Sequence, residues 1–586
     1  MTATRLVGPP APAPRHATVS AALAAAAAHR SGVTFVGLHE EETRLSWAEV
    51  HRRALRSAGA LRELGVAPGD RVALVLRTEP AFLDAFFGAL CAGAVPVPLY
   101  PPVRLGRLEE YLAATARMMR VSGARIAVTF PAVRRILGEA VAAARPALAL
   151  GVVGAGDLLS GPELLEPGGG TDLALVQFSS GSTVEPKPVA LSHRNLLAQV
   201  EALIALVEPT GDDALVSWLP LYHDMGLIGC LLGAMGYPGP LVLLPPEHFL
   251  ARPALWLRAL ARHRGTISAA PHFAYAYAAD RVRDEDLAGL SLSRWRIALD
   301  GAEPVTAGTL HRFAARFARH GLDPASLRPV YGLSEAALAV TFAPRRREPR
   351  VERLDPVRLA GGEVAPGARE VASVGAPVPG VEVEVRGRGG EPLPECRLGR
   401  IHVRGPSVMR GYLGDPEATA RVLAGGWLDT GDLGFHLGGE LFVHGRARDL
   451  VIVRGANHAP DEFEACLAAV PGLRAGCAVA LGFVPPGGEG EELLLLAERS
   501  RRSAAGEEAL AEAARRAVLE RTGVRAHTVR VLAPGTLPRT SSGKMRRAEA
   551  LRRYLAGTLR PPATVGALSL ARQVLRSGLA YARWRR

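Results

Sequence analysis

At 586 residues the chain is too long for one hydrophobic core, so two or more domains are expected. With 48% hydrophobic and 22% charged residues it reads as globular, and its five cysteines stand singly without a CxxC pair, which excludes a cysteine zinc site and a disulfide framework and points to a reduced cytoplasm. The net charge of +13 sits in a chain rich in Ala, Arg, Gly and Pro, a bias that inflates the arginine count and gives no argument for a nucleic-acid partner.

In chain order, residues 1–15 read as a loose proline-bearing arm, followed by a helix over the Ala21–Ala28 run. Leu45–Leu64 has helical periodicity and stops at Gly65. Strand Arg71–Leu76, helix Pro80–Ala92, strand Val95–Leu99, helix Leu108–Val121 and strand Ala124–Thr129 then alternate, the pattern of a parallel α/β layer. The uncharged stretch Met225–Pro246 is broken by Gly and Pro, so it reads as a glycine-hinged helix and a buried strand, Leu241–Leu244, rather than a membrane span. Val381–Val443 reads as β-rich. Helices over Asp461–Ala469 and Glu507–Thr522 alternate with strands Cys477–Gly482 and Glu492–Glu498. From Arg560 onward there are six arginines and no acid, the composition of a solvated basic tail or of an amphipathic helix for a membrane or an acidic partner.

The stretch that carries chemistry begins at Leu175–Phe178, an apolar strand. It gives way to Ser179, Ser180, Gly181, Ser182 and Thr183, small residues that let N–H groups and hydroxyls crowd an anion. Lys187 adds a mobile positive charge before a second strand, Val189–Leu191. The loop lacks the Gly-Lys-Ser/Thr ending of a P-loop, and taken alone it is also compatible with a surface turn. His223 and Asp224 stand at an expected strand end, where an open α/β sheet carries its ligand crevice; the pair reads equally as a helix cap. Two further strand ends place Asp300-Gly301-Ala302 and Tyr331-Gly332-Leu333-Ser334-Glu335 beside the crevice, offering a stacking face, a hydroxyl and a carboxylate for Mg²⁺.

Together these segments resemble the adenylate-forming superfamily (acyl-CoA synthetases, luciferases and adenylation domains), and within it the fatty acyl-AMP ligases, over about residues 30–555. The motifs are SSGSTVEPK (179–187), WLPLYHDMGLIG (218–229), DGAEP (300–304), YGLSEA (331–336), GWLDTGDLG (426–434), GRARDLVIVRG (445–455) and PRTSSGKMRR (538–547). The resemblance implies an α/β fold. It has a large domain, 1–448, of two α/β layered subdomains and a β-rich subdomain, and a small mobile α/β lid with a basic tail, 449–586. It also implies ATP-dependent activation of a medium- or long-chain fatty acid and transfer to an acyl carrier protein or a polyketide or peptide synthase carrier domain. A fatty acyl-CoA synthetase and a catalytically impaired nucleotide-binding paralogue are the alternatives.

By the same resemblance, Ser179–Thr183 and Lys187 hold the ATP phosphates, and Tyr331 with Gly332 faces adenine beside Asp300, Gly301 and Ala302. Ser334 faces the α-phosphate, Glu335 holds Mg²⁺, Asp432 takes the ribose hydroxyls and Arg446 lies by the ribose and phosphates. Lys544, Glu335 and His223 form the catalytic set. Several positions depart from the family pattern: Val184 and Pro188 replace usual glycines, Asp300 stands where this branch often has Asn, and Ser334 replaces Ala or Thr. By periodicity 343–372 is a surface loop; by resemblance it is an insertion that restrains the lid and leaves acyl-AMP, not acyl-CoA, as the product.

Overall fold

The computed structural model describes residues 5–102, 107–144, 147–164, 171–179, 186–453, 456–485, 490–540, 544–562 and 567–584. Four parallel strands form the first layer, in the order Val95–Leu99, Arg71–Val75, Ala124–Thr129, Gly151–Gly154. Their near-continuous apolar sequence suits a sheet covered on both faces. A second, nine-stranded sheet contains Leu215–Ser217, Ile267–Pro271, Ile297–Gly301 and Leu327–Gly332 as parallel neighbours. Under it lies an aromatic core in which Trp218 stacks on Phe249 at 4.0 Å and Trp256 meets Trp295 edge-on at 5.2 Å. Each such ring contributes roughly 1.5–3 kcal/mol by leaving water.

Leu173–Phe178 and Pro188–Ser192 pair antiparallel, and Gly411–Tyr412 adds to the latter, so the hydroxyl-rich loop hangs from a three-stranded ribbon. The expected β-rich segment is a six-stranded sheet that includes Glu382–Arg386, Gly399–Arg404, Trp427–Leu437 and Glu440–Arg446. Past Val451, strands Leu473–Phe483, Glu492–Arg499 and Thr528–Leu532 form a separate sheet with helices Pro460–Ala468, Glu507–Thr522 and Arg547–Leu555. The buried clusters there draw all their members from residues 451–559. The α/β architecture is the one the alternating pattern indicates.

Three expectations are corrected. From Arg5 onward the N-terminal arm is not loose: Leu6 and Val7 pair with Val383 and Glu382, and Arg5 bridges Glu382 and Glu384, which extends the β-rich sheet by one strand. Residues 343–372 are not an unstructured loop: Val351–Leu354 and Arg369–Ala372 form an antiparallel pair flanking a short helix, Pro356–Ala360, whose cap is the Asp355 side chain. The basic tail is not simply solvated: Ala567–Trp584 is a helix laid on Gly138–Ala143. There Gly138 N donates to Ser577 Oγ at 2.7 Å, Gln573 Nε2 to Glu139 Oε2 at 2.8 Å and the Tyr581 hydroxyl to Arg134 O at 3.0 Å. The arm and the tail are ordered by partners far away in sequence, and the hairpin by pairing across its own short helix, none of which local periodicity records.

Among the described residues, no helix is long and apolar enough to cross a membrane. The glycine-hinged segment is a helix with π-type hydrogen bonding over Met225–Leu232. Its glycines allow close approach: a Cβ on Gly226 would stand 2.3 Å from Pro220 O.

Candidate active site

The serine-rich loop is closed at its base by two bonds: Ser179 N donates to Lys187 O at 3.0 Å and Lys187 N to Ser179 Oγ at 3.2 Å. Ser180, Gly181, Ser182, Thr183 and Val184 lie outside the described residues. Lys187 Nζ stands 4.5 Å from the centroid of the Tyr412 ring. Pro188 begins its strand opposite Phe178, and its carbonyl accepts from Leu413 N at 2.8 Å. A proline is tolerated at a first strand position, where its missing N–H breaks no ladder.

Across the crevice, the Tyr331 hydroxyl donates to Asp432 Oδ2 at 2.7 Å, and Arg446 Nε lies 3.3 Å from Asp432 Oδ1. Asp432 and Arg446 face each other because Trp427–Leu437 and Glu440–Arg446 pair in that register. The carbonyl of Leu338 would lie 1.8 Å from a Cβ on Gly332, so the tyrosine's neighbour must be glycine. Ala302 holds φ +62° at the edge of the same crevice.

Asp300 does not join this group. Its side chain is fully buried, with Oδ2 2.8 Å from His272 Nδ1, while Leu299 and Ala302 line the cavity. Asp300 stands behind His272, whose side chain lines the cavity. Burial raises the Asp300 carboxyl above its ordinary value despite His272. Gly301 also contributes no lining; a Cβ there would crowd Val330 at 2.7 Å.

Ser334 and Glu335 follow the tyrosine strand in a short helical turn. Ser334 Oγ donates to Asp224 Oδ2, and Asp224 Oδ1 accepts from Met225 N at 2.7 Å and lies 2.7 Å from His223 Nδ1. Asp224 therefore caps the Met225 helix and ties His223 to the crevice at once. Burial alone would raise its carboxyl, yet His223, the Ser334 hydroxyl and Lys544 hold it well below the usual carboxylate range. Glu335 Oε1 accepts from the Tyr412 hydroxyl at 3.0 Å. Burial raises the Glu335 carboxyl, with Tyr412 and Arg446 opposing.

Lys544 comes from the C-terminal region, and its carbonyl accepts from Thr540 N at 2.8 Å. Burial lowers its ammonium below the ordinary lysine value, and the charges of Asp224 and Glu303 resist that shift. Ser179, Lys187, His223, Ala302, Tyr331, Gly332, Ser334, Glu335, Asp432, Arg446 and Lys544 thus line one cavity of about 2010 Å³. Away from these groups the cavity extends along apolar walls that include Leu203, Ile204, Leu215, Cys230, Ala234 and Leu338.

Tyr412 and Glu303 were not read from the sequence as site residues. Glu303 carried a signal, since it belongs to the Asp300–Pro304 motif; Tyr412 carried none. Asp224 was legible with His223 as a crevice pair or a helix cap, and it does cap the Met225 helix, while its bond to Ser334 left no sequence signal.

The family model described as AMP-binding enzyme matches residues 23–413. The chain belongs to the AMP-binding enzyme family. A Caulobacter vibrioides member named as an acyl-CoA synthetase is 37% identical over 92% of this chain and 96% of its own length. A Mycobacterium marinum member named long-chain-fatty-acid–AMP ligase FadD26 is 36% identical over 87% of this chain and 91% of its own. A solved fatty acyl-adenylate ligase, from work on the Escherichia coli and Legionella pneumophila enzymes, superposes with a TM-score of 0.85 and 34% identity, covering 94% of this chain and 99% of that one. This AMP-binding enzyme is therefore an adenylate-forming ligase, a class that uses ATP, and fatty acyl-AMP ligases are among its relatives in both sequence and structure.

Proposed function

We propose that this AMP-binding enzyme joins a medium- or long-chain fatty acid to AMP. The observation that carries the reading is the continuity of one cavity from cationic and hydroxyl groups at Lys187, Arg446, Ser334 and Lys544 to apolar walls at Leu203, Leu215, Cys230 and Ala234. A carboxylate oxygen attacks the α-phosphorus of ATP, the bond to the β-phosphate oxygen breaks, and pyrophosphate leaves. Both reactants are anions, so the barrier falls chiefly through fixed positive charge and positioning.

In this reading Tyr331 stacks on adenine, Asp432 takes the ribose hydroxyls with Arg446 beside it, and Ser179–Thr183 with Lys187 cradle the outer phosphates. Lys544 offsets charge between the acyl carboxylate and the α-phosphate. Asp224 and His223 position Ser334. Asp300 acts through His272, as a support for the strand rather than as a ligand. Among the described residues, no group of three His, Cys, Asp or Glu side chains is placed to hold a metal. A single carboxylate, Glu335, fits Mg²⁺ that arrives on nucleotide phosphates, because that ion takes most of its oxygens from phosphate and water. It would supply further positive charge at the phosphates.

We also place the boundary between a large domain and a lid at Arg448–Asp449, with acyl-AMP as the product handed to a carrier protein in the cytoplasm. Arg369, on the 343–372 hairpin, lies 3.0 Å from Glu462 of the Pro460–Ala468 helix, a contact suited to restraining the lid. A coenzyme A ligase is the second reading, favoured by the name of the Caulobacter relative. Incubation with ATP, Mg²⁺ and fatty acids of graded length should release pyrophosphate, and added coenzyme A should leave acyl-AMP as the product. Efficient acyl-CoA synthesis would move the assignment to the coenzyme A ligases, and no fatty-acid-dependent pyrophosphate would leave the impaired paralogue.

A further inference from the structure

The C-terminal helix Ala567–Trp584 is docked largely through polar bonds. Among the described side chains that it turns to the protein, Ser577 is 0% exposed and Gln573 6%, each in a hydrogen bond with the Gly138–Ala143 helix, and the half-buried Tyr581 ring packs beside them on an apolar cluster. Leu575 and Leu579, by contrast, stand 69% and 62% exposed, with Val574 at 37% beside them. A helix that belongs only to its own protein buries its apolar stripe and shows its polar one. Here the polar bonds fix the helix so that the apolar stripe stays outward. The contact is close: a Cβ on Gly138 would lie 2.2 Å from Ser577 O.

Charge narrows the choice of what covers this stripe. The helix holds no acid, and Arg572 and Arg576 are exposed beside Leu575 and Leu579, with Arg576 4.0 Å from the exposed Glu109 of the Leu108–Val121 helix. Two copies meeting stripe to stripe would bring these arginines together without a counter-charge on either helix. An anionic lipid surface offers both partners at once, acyl chains for the leucines and headgroup phosphates for the guanidinium groups. At 18 residues the helix is about 27 Å long and can lie in the plane of such a surface. We propose that this stripe seats the enzyme peripherally on an anionic membrane face, with Leu575 and Leu579 inserted and Arg572 and Arg576 at the phosphates.

The test is flotation of the purified full chain with vesicles of phosphatidylcholine alone and of phosphatidylcholine with about 30% phosphatidylglycerol, a composition that supplies the anionic surface. The wild type should float with the anionic vesicles only, and Leu575→Asp/Leu579→Asp should reduce that binding about tenfold or more. Arg572→Ala/Arg576→Ala should remove its salt sensitivity. All four residues are exposed and lie outside the cavity, so pyrophosphate release without vesicles should be unchanged in both variants. Failure of the wild type to float, or equal flotation of wild type and the leucine variant, would overturn the proposal. So would dimerisation in sedimentation velocity that the leucine substitutions abolish, since it would give the stripe to a second copy.

Discussion

Tyr331 and Asp432, 101 residues apart, are joined by a 2.7 Å hydrogen bond from the tyrosine hydroxyl to the carboxylate. The ring proposed to stack on adenine is thereby positioned by the carboxylate proposed to hold the ribose. Tyr331→Phe keeps the stacking face and loses the tie. At about 1 kcal/mol for such a bond, KM for ATP should rise roughly fivefold with kcat little changed. Asp432→Asn should cost more, and the double variant should show coupling. Additive effects would mean that the bond does not organise the nucleotide site.

Lys544→Ala should lower kcat on the order of a hundredfold or more while ATP binding, followed by calorimetry, stays near wild type. The groups proposed for adenine and ribose, Tyr331 and Asp432, sit on the strands Leu327–Gly332 and Trp427–Leu437. Burial lowers the Lys544 ammonium below the ordinary lysine value of 10.5, with Asp224 resisting. The charged form is the useful one, so activity should be full at lower pH and fall as pH rises through this depressed value. Lys544→Arg should remove that alkaline limb. Parallel loss of binding and turnover in Lys544→Ala would contradict the division of labour.

Arg369→Ala removes the contact to Glu462. A partly buried pair of this kind contributes about 1 kcal/mol, which shifts a two-state lid equilibrium roughly fivefold. With coenzyme A present, the ratio of acyl-CoA to acyl-AMP should rise by that order. An unchanged ratio would show that the 343–372 hairpin does not restrain the lid through this residue.

His444 is buried on the strand Glu440–Arg446, and burial, reinforced by Arg369, lowers its imidazole to about 4. In the unfolded chain it titrates near 6.5. Between these values the unfolded state binds a proton that the folded state does not. The stabilisation is therefore complete above about pH 6.5 and is lost as pH falls toward 4, by up to about 3 kcal/mol. Denaturant melts of the wild type and His444→Gln over this range should differ in slope, the variant being flatter. Equal slopes would assign the acid sensitivity to other groups.

The sequence by itself determined the elements and the kinds of chemical group. Small hydroxyl residues before Lys187, a glycine after Tyr331 and alternating apolar segments are local facts, written within a few residues of each other. They indicate an α/β protein with a hydroxyl-rich loop beside a lysine. Only the tertiary structure decided which of these groups meet. Ser334 reaches Asp224 across 110 residues, and Tyr412 reaches Glu335 across 77. Neither separation leaves a periodic trace, because both contacts depend on how sheets stack rather than on which residues prefer strands. Asp300, which the resemblance puts beside adenine, meets His272 in the structure, a partner 28 residues away that its motif does not mark. The N-terminal arm, the 343–372 hairpin and the basic tail follow the same logic. Each is short of local signal: the arm and the tail find their hydrogen-bond partners on a distant strand and helix, and the hairpin finds them across its own turn.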